Sequence, residues 1–342
     1  MSAPTGVLQL RAGGASLVLD AGRGPGGPLP AVLHWGADLG EGLDGDALVR
    51  ALAPAVAHSA AERAVRRRLL PMPADGWRLR PGLVGARADG SDWSPRFLVT
   101  ALEAGPARLE LEAADPDAGL GLAVSLVLHP SGVLELRQRL VNTGDGAYQV
   151  GQLAGTLPLP DRAQELLDLT GRWCRERAPQ RHPLPHGAWV REGRHGRTGH
   201  DAPLVLAAGT PGFGFRAGEV WAAHLAWSGD GVHWAERNPD GHAGLGVAEL
   251  LAPGEVVLGP GEEYSAPPLL AVHSAAGLDG VSAAYHRYLR DRPGHPRRPR
   301  PVVLNTWEAV YFDHRLERLA GLAETAARLG VERFVLDDGW FQ

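Results

Sequence analysis

Between Pro293 and Pro301 the chain places four prolines in nine residues, and the hydrophobic pattern is of one kind before them and another after. Proline fixes φ and carries no N–H, so such a run is neither helix nor central strand. It is predicted to be a stiff, extended linker. The chain is therefore divided into residues 1–292, a linker at 293–300, and residues 301–342.

The first part reads as short strands separated by turns. Val7 to Leu10, Ser16 to Asp20, Ala107 to Ala113 and Leu120 to His129 are strand-like, with glycine-rich punctuation between them. Val133 to Val141 is the clearest case. Leu134, Leu136 and Leu140 fall on one face, and Glu135, Arg137 and Arg139 on the other, which predicts a strand with one wet face. Further strands are predicted at Leu204 to Ala208, Val220 to Trp227 and Glu255 to Leu258. So many strands in so long a segment imply a large β-sandwich. Residues 43–67 are expected to hold a helix or an irregular excursion. Leu278 to Arg290 is predicted helical, with Val281, Tyr285, Tyr288 and Leu289 on one side.

After the linker, Val302 to Leu304 reads as a buried strand. A helix follows, with Leu316, Leu319, Leu322, Ala323, Ala326 and Leu329 on one face, Asp313 as its predicted cap and Gly330 as its stop. Arg333 to Leu336 reads as a second buried strand. Strand, helix, strand in this order predicts a parallel pair. One helix cannot cover both faces of such a pair, so further elements are expected beyond Gln342. In a parallel α/β barrel, ligand groups sit at the C-terminal ends of strands. Those ends carry Trp307 on the first strand and Asp337, Asp338 and Trp340 on the second. Adjacent carboxylates can accept from two hydroxyls of one sugar. An Asp-Asp-Gly turn and a packed tryptophan fit the same residues, and both readings stand at this level.

Composition narrows the classes. Hydrophobic residues make up 44% and charged residues 21%, as in ordinary globular proteins, and no run is long enough for a membrane span. The start of the chain shows no basic stretch leading into an apolar one, and the single cysteine, Cys174, has no internal partner. Both favour a cytoplasmic protein. All 34 basic residues other than histidine are arginine, and the net charge of -5 disfavours nucleic acid. The arginines from Arg172 to Arg197 are therefore read as a solvated face. A metal site built from His182, His186, His195 and His200 is disfavoured, because the Pro and Gly content says loop and no metal-ligand spacing is present.

The run Asn305-Thr306-Trp307-Glu308-Ala309, then Tyr311-Phe312, then Gly330 through Leu336-Asp337-Asp338-Gly339-Trp340-Phe341, resembles the opening of the catalytic barrel in family 36 α-galactosidases. Upstream, His34-Trp35-Gly36, Pro81-Gly82-Leu83, Asp92-Trp93, Pro95-Arg96-Phe97, Gly171 to Glu176, Gly196 to Asp201, Trp227-Ser228-Gly229, Glu249-Leu250 and Pro260-Gly261-Glu262 are similar to successive blocks of that family.

The resemblance implies a mainly β chain: an N-terminal β-supersandwich followed by the first strand-helix-strand of a (β/α)8 TIM barrel. It implies that Asp337 and Asp338 hold the 4- and 6-hydroxyls of galactose, that Trp307 lines the same pocket, and that Trp340 is a further wall candidate. The family retains configuration with a nucleophile and an acid/base on later barrel strands, roughly 5–5.5 Å apart. Both are expected after Gln342, and no residue up to Gln342 is assigned either role. The expected substrates are galactose-containing oligosaccharides such as melibiose and raffinose, with no cofactor and no metal, and a homo-oligomer at full length. Two alternatives remain: a non-catalytic carbohydrate-binding or oligomerisation module, and an α-N-acetylgalactosaminidase.

Overall fold

A computed structural model describes residues 5–54, 58–59, 65–201 and 205–341. The chain separates into two compact units, residues 1–290 and 291–342.

In the first unit, β1 (Val7–Ala12), β2 (Ala15–Asp20) and β3 (Ala31–Ala37) make a meander. The short helix α1 (Gly45–Ala51) follows, capped by Asp44, which accepts the Ala47 N–H at 2.9 Å. Then come β4 (Leu83–Arg87), β5 (Leu98–Ala104), β6 (Arg108–Asp115), β7 (Leu120–Leu128), β8 (Val133–Asn142), β9 (Tyr148–Leu153) and β10 (Gly155–Leu159). After them run β11 (Glu165–Arg172), β12 (Arg175–Pro183), β13 (Gly187–Gly193), β14 (Leu206–Gly209), β15 (Val220–Leu225), β16 (Gly231–Arg237), β17 (Ala243–Glu249), β18 (Val256–Leu258) and β19 (Glu263–Ser274). The helix α2 (Gly277–Asp291) closes the unit. Part of the predicted excursion at 43–67, and Leu204 of a predicted strand, lie outside the described residues.

Nine strands form one sheet in the order β12-β11-β14-β15-β19-β8-β7-β6-β5. Facing it are three smaller sheets, β1-β2-β3, β10-β17-β16-β13 and β18-β9-β4. One continuous core fills the space between, from Leu17 and Leu19 through Leu122, Leu136 and Trp221 to Leu245. Each such aliphatic side chain contributes roughly 1.5–3 kcal/mol when fully buried. Polar groups stitch the layers where the core permits. Trp221 of the large sheet donates its indole N–H to the Trp35 carbonyl of β3 at 3.1 Å. Arg67 and Glu236, both buried, approach to 3.4 Å, and Glu236 also accepts the Arg80 N–H at 3.0 Å. β19 lies inside the large sheet, between β8 and β15.

The outward face of β8 is only partly solvated, where the alternation predicted a wet face throughout. Leu134, Leu136 and Leu140 point into the sandwich as expected, but Glu135 on the opposite face is also buried. The reason is α2, which lies on the outer face and makes a second core from Val133, Phe213, Val220, Val272, Val281 and Ala284. Glu135 is satisfied there: it accepts from Tyr288 at 2.9 Å, from His129 at 3.0 Å and from Arg137. Arg137 and Arg139 remain exposed. At the start of α2, Gly277 sits at φ +69, and a Cβ there would lie 2.4 Å from the Gly214 carbonyl oxygen, so only glycine brings the helix this close.

The second unit holds β20 (Val303–Asn305), the single turn α3 (Trp307–Val310), α4 (Leu316–Arg328) and β21 (Arg333–Val335). β20 and β21 are parallel, with Val303 opposite Arg333 and Asn305 opposite Val335. Gly330 ends α4 at φ +81. Three expectations are corrected. Asp313 does not cap α4; its carboxylate is taken by Arg315 and Arg318 at 2.8 Å, and the helix starts at Leu316 without a side-chain cap. The first strand begins at Val303, and Val302 and Val303 are exposed rather than buried, because a two-stranded sheet with one helix has little to cover it. On α4 only Ala326 is buried, while Leu316 and Leu329 at its ends are 74% and 79% exposed.

Candidate functional site

A parallel pair brings the C-terminal ends of both strands to one edge. Thr306, fully buried, continues the ladder by donating its N–H to the Val335 carbonyl at 3.0 Å. The chain then turns away from β20 because Asn305 Oδ1 accepts the Trp307 N–H at 2.8 Å, an Asx turn that opens α3. Trp307 is half-buried, with its ring edge-on to Tyr311 and Phe312 at centroid distances of 5.3 and 5.2 Å.

On β21 the chain leaves the ladder at Leu336. Asp337 is half-buried and Asp338 exposed, as alternation along an extended segment requires. Asp337 Oδ2 accepts from Asn305 Nδ2, and its Oδ1 accepts the Asp338 N–H at 2.8 Å. Asp338 Oδ1 in turn accepts the Gly339 N–H at 2.9 Å. Gly339 has φ +101, and a Cβ there would lie 2.7 Å from the Phe312 ring, so the tight return of the chain over the aromatic group requires glycine.

Of the four residues singled out from the sequence, Trp307 and Asp337 are joined through Asn305, and Asp338 through its own backbone N–H, which donates to the Asp337 carboxylate. Trp340 is 71% exposed and takes no part in the Trp307 aromatic group. Two carboxylates beside an edge-packed indole can accept hydroxyl protons while an apolar ring face lies nearby, which is chemistry suited to a sugar. Nearby, Asp313 is held well below the usual carboxylate range by hydrogen bonds from Arg315 and Arg318, so it stays charged. The hydrogen bond to Glu308 raises the Tyr311 phenol. Asn305 carries no mark in the sequence, because its partner depends on strand register, which one-dimensional spacing does not reveal.

In the first unit, a cavity of about 500 Å³ is lined by His34, Trp35, Arg66, Arg67, Arg162 and His242 among others. Burial lowers the pKa of both His34 and His242, so both are neutral at pH 7. Three of the four histidines considered for a metal have other neighbours: His182 stacks on Trp189 at 3.9 Å, His195 meets Asp201 at 3.2 Å, and His200 lies 3.9 Å from Glu176. Among the described residues no group of three or more His, Cys, Asp or Glu is placed to hold a metal ion. Among the same residues no helix is long and apolar enough to cross a membrane.

Residues 28–259 match the glycosyl hydrolase family 36 N-terminal domain, and residues 263–342 match melibiase. The chain belongs to glycosyl hydrolase family 36. It is 46% identical over 264 residues to an Escherichia coli α-galactosidase, covering 77% of this chain and 37% of that protein. It is 32% identical over 238 residues to α-galactosidase AgaA of Geobacillus stearothermophilus, covering 68% of this chain and 33% of that one. Two solved family 36 structures superpose closely. The AgaA complex with 1-deoxygalactonojirimycin gives a TM-score of 0.84 at 25% identity, and the AgaA complex with raffinose 0.83 at 26%. Each alignment covers 98% of this chain and 50% of the other. The family 36 chain described here thus spans about a third of the length of these curated relatives and half of the solved ones.

Proposed function

We propose that this chain is the leading part of a retaining α-galactosidase that removes terminal α-D-galactosyl residues from oligosaccharides such as melibiose and raffinose. The observation that carries this is the continuous family 36 match, which runs through the β unit and on to the Asp337-Asp338 pair at the end of β21. A relative of the same family has been solved with raffinose bound, which supports the substrate class.

In this reading, residues 1–292 are the supersandwich, 293–300 the linker, and β20, α4 and β21 the opening of a (β/α)8 barrel. Asp337 and Asp338 accept hydrogen bonds from galactose hydroxyls, Trp307 lines the pocket, and Trp340 is a further wall. The nucleophile and the acid/base belong to later barrel strands, because two neighbouring residues of one extended segment point apart and do not flank a single bond. No metal is called for by this chemistry. The free, exposed Cys174 supports a reducing compartment such as the cytoplasm.

The test is hydrolysis of an aryl α-galactoside by the full-length protein carrying this chain. Asp338→Ala is expected to lower kcat/KM by about 10- to 150-fold, since a hydrogen bond to a charged group contributes roughly 1.5–3 kcal/mol. Full activity in that variant would remove Asp338 from the site. Hydrolysis of the α-N-acetylgalactosaminide alone would move the substrate to the other class.

A further inference from the structure

The Asn305 side chain touches both halves of the candidate site. Its carbonyl oxygen is committed to the Trp307 N–H at 2.8 Å. That fixes the amide's orientation, so its NH2 must be the group facing Asp337 Oδ2. The Asp337 main chain is held from the same strand, its N–H directed at Thr306 Oγ1 at 3.4 Å, with Thr306 itself fully buried. Asp337 therefore has one donor on each carboxylate oxygen, Asn305 on Oδ2 and the Asp338 N–H on Oδ1. Each oxygen has two lone pairs, so one acceptor site per oxygen remains for a ligand.

We propose that Asn305 is a positioning residue: it locks the turn that presents Trp307 to the rotamer in which Asp337 offers its remaining lone pairs to a sugar. This rests on the reading of Asp337 as a galactose-hydroxyl acceptor. Asn305 need not touch substrate. Without its donor, the Asp337 carboxylate keeps one of its two restraints, the Asp338 N–H on Oδ1, and part of the ordering cost then falls on substrate binding.

The full-length protein separates positioning from mere support of the turn. Asn305→Asp keeps the oxygen that accepts the Trp307 N–H and loses the donor to Asp337. Asn305→Ser keeps a turn-capping hydroxyl and is too short to reach Asp337. Both are expected to raise KM for an aryl α-galactoside about 10- to 100-fold, with kcat changed by less than about 3-fold. In Asn305→Asp alone the defect shrinks as pH falls, because neighbouring carboxyls share a proton and the shared proton restores the bond. In Asn305→Ser the defect does not change with pH. An unchanged KM in Asn305→Asp, with a pH profile overlying wild type, overturns the proposal. If Asn305→Asp does not fold, Asn305→Ser decides: a raised KM supports positioning and an unchanged one overturns it. Activity that is lost in Asp338→Ala but indifferent to both Asn305 changes refutes Asn305 alone. An inert wild type removes the functional reading and this proposal with it.

Discussion

Glu236→Gln is the sharpest test of how the β unit is held together. Arg67 and Glu236 lie 169 residues apart in sequence, and their side chains are 3% and 1% exposed. Burial pulls the Arg67 guanidinium down from its ordinary value, and Glu236 opposes that pull. Arg67 also lies over the Trp77 ring at 4.6 Å, and its Nη1 is buried with no hydrogen-bond partner. Neutralising Glu236 leaves a buried cation with nothing to balance it, a change that costs about 3–5 kcal/mol. With a urea m-value of about 3 kcal/mol/M for a domain of this size, the midpoint should fall by roughly 1–1.7 M. Equilibrium unfolding followed by tryptophan fluorescence reads this directly, since Trp77 borders the pair. The exposed pair Arg216–Asp279, with side chains 91% and 54% exposed, is the control. Asp279→Asn should move the midpoint by less than about 0.3 M, because exposed ion pairs contribute about 0–1 kcal/mol. Replacing Arg67 and Glu236 together by Met should recover at least half of the single-variant loss, because an apolar pair carries no unbalanced charge. A shift below about 0.3 M in Glu236→Gln, or a double variant no better than the single, would refute the reasoning.

Two further outcomes are expected. His233 is buried with both ring nitrogens unpartnered, and burial lowers its pKa from 6.5 to about 3. The unfolded chain takes up that proton below pH 6.5 and the folded one does not until about pH 3, so stability falls with pH across that window by about 1.4 kcal/mol per unit. His233→Val should flatten the acid limb of the stability curve by about that slope, and parallel curves for the two proteins would show that His233 is not the group involved. Brief trypsin treatment should cut after the exposed Arg297, one of the few arginines near the linker not followed by proline. Mass spectrometry showing first cuts elsewhere would place the most accessible backbone outside 291–301.

Local signals carried much of the fold. Alternation placed β8, turn chemistry separated β1 from β2, the spacing of apolar residues placed α2 and α4, and Gly330 marked a helix end. What the sequence hid was what each face meets. Glu135 looks solvent-facing until α2, over 140 residues later, covers it and supplies Tyr288. Asp313 looks like a cap because it precedes an apolar helix, yet two arginines within five residues compete for its carboxylate with better geometry. At the candidate site the residue types and their position at strand ends were legible. The Asn305–Asp337 bond was not, since it exists only once β20 and β21 are aligned residue by residue.

The position of β19 limits how this protein can have been assembled. The segment matching melibiase begins at residue 263, where β19 begins, yet β19 is zipped on both sides into the nine-stranded sheet. A recombination joint at that sequence border would tear a central strand out of the sandwich and leave β8 and β15 as raw edges, each open to pairing with another chain. A cassette starting there would not carry a self-contained fold, because its first strand belongs to the sandwich. The structural seam lies instead at the end of α2, where the first compact unit stops, so the border between the two sequence matches and the border between the two folded units do not coincide.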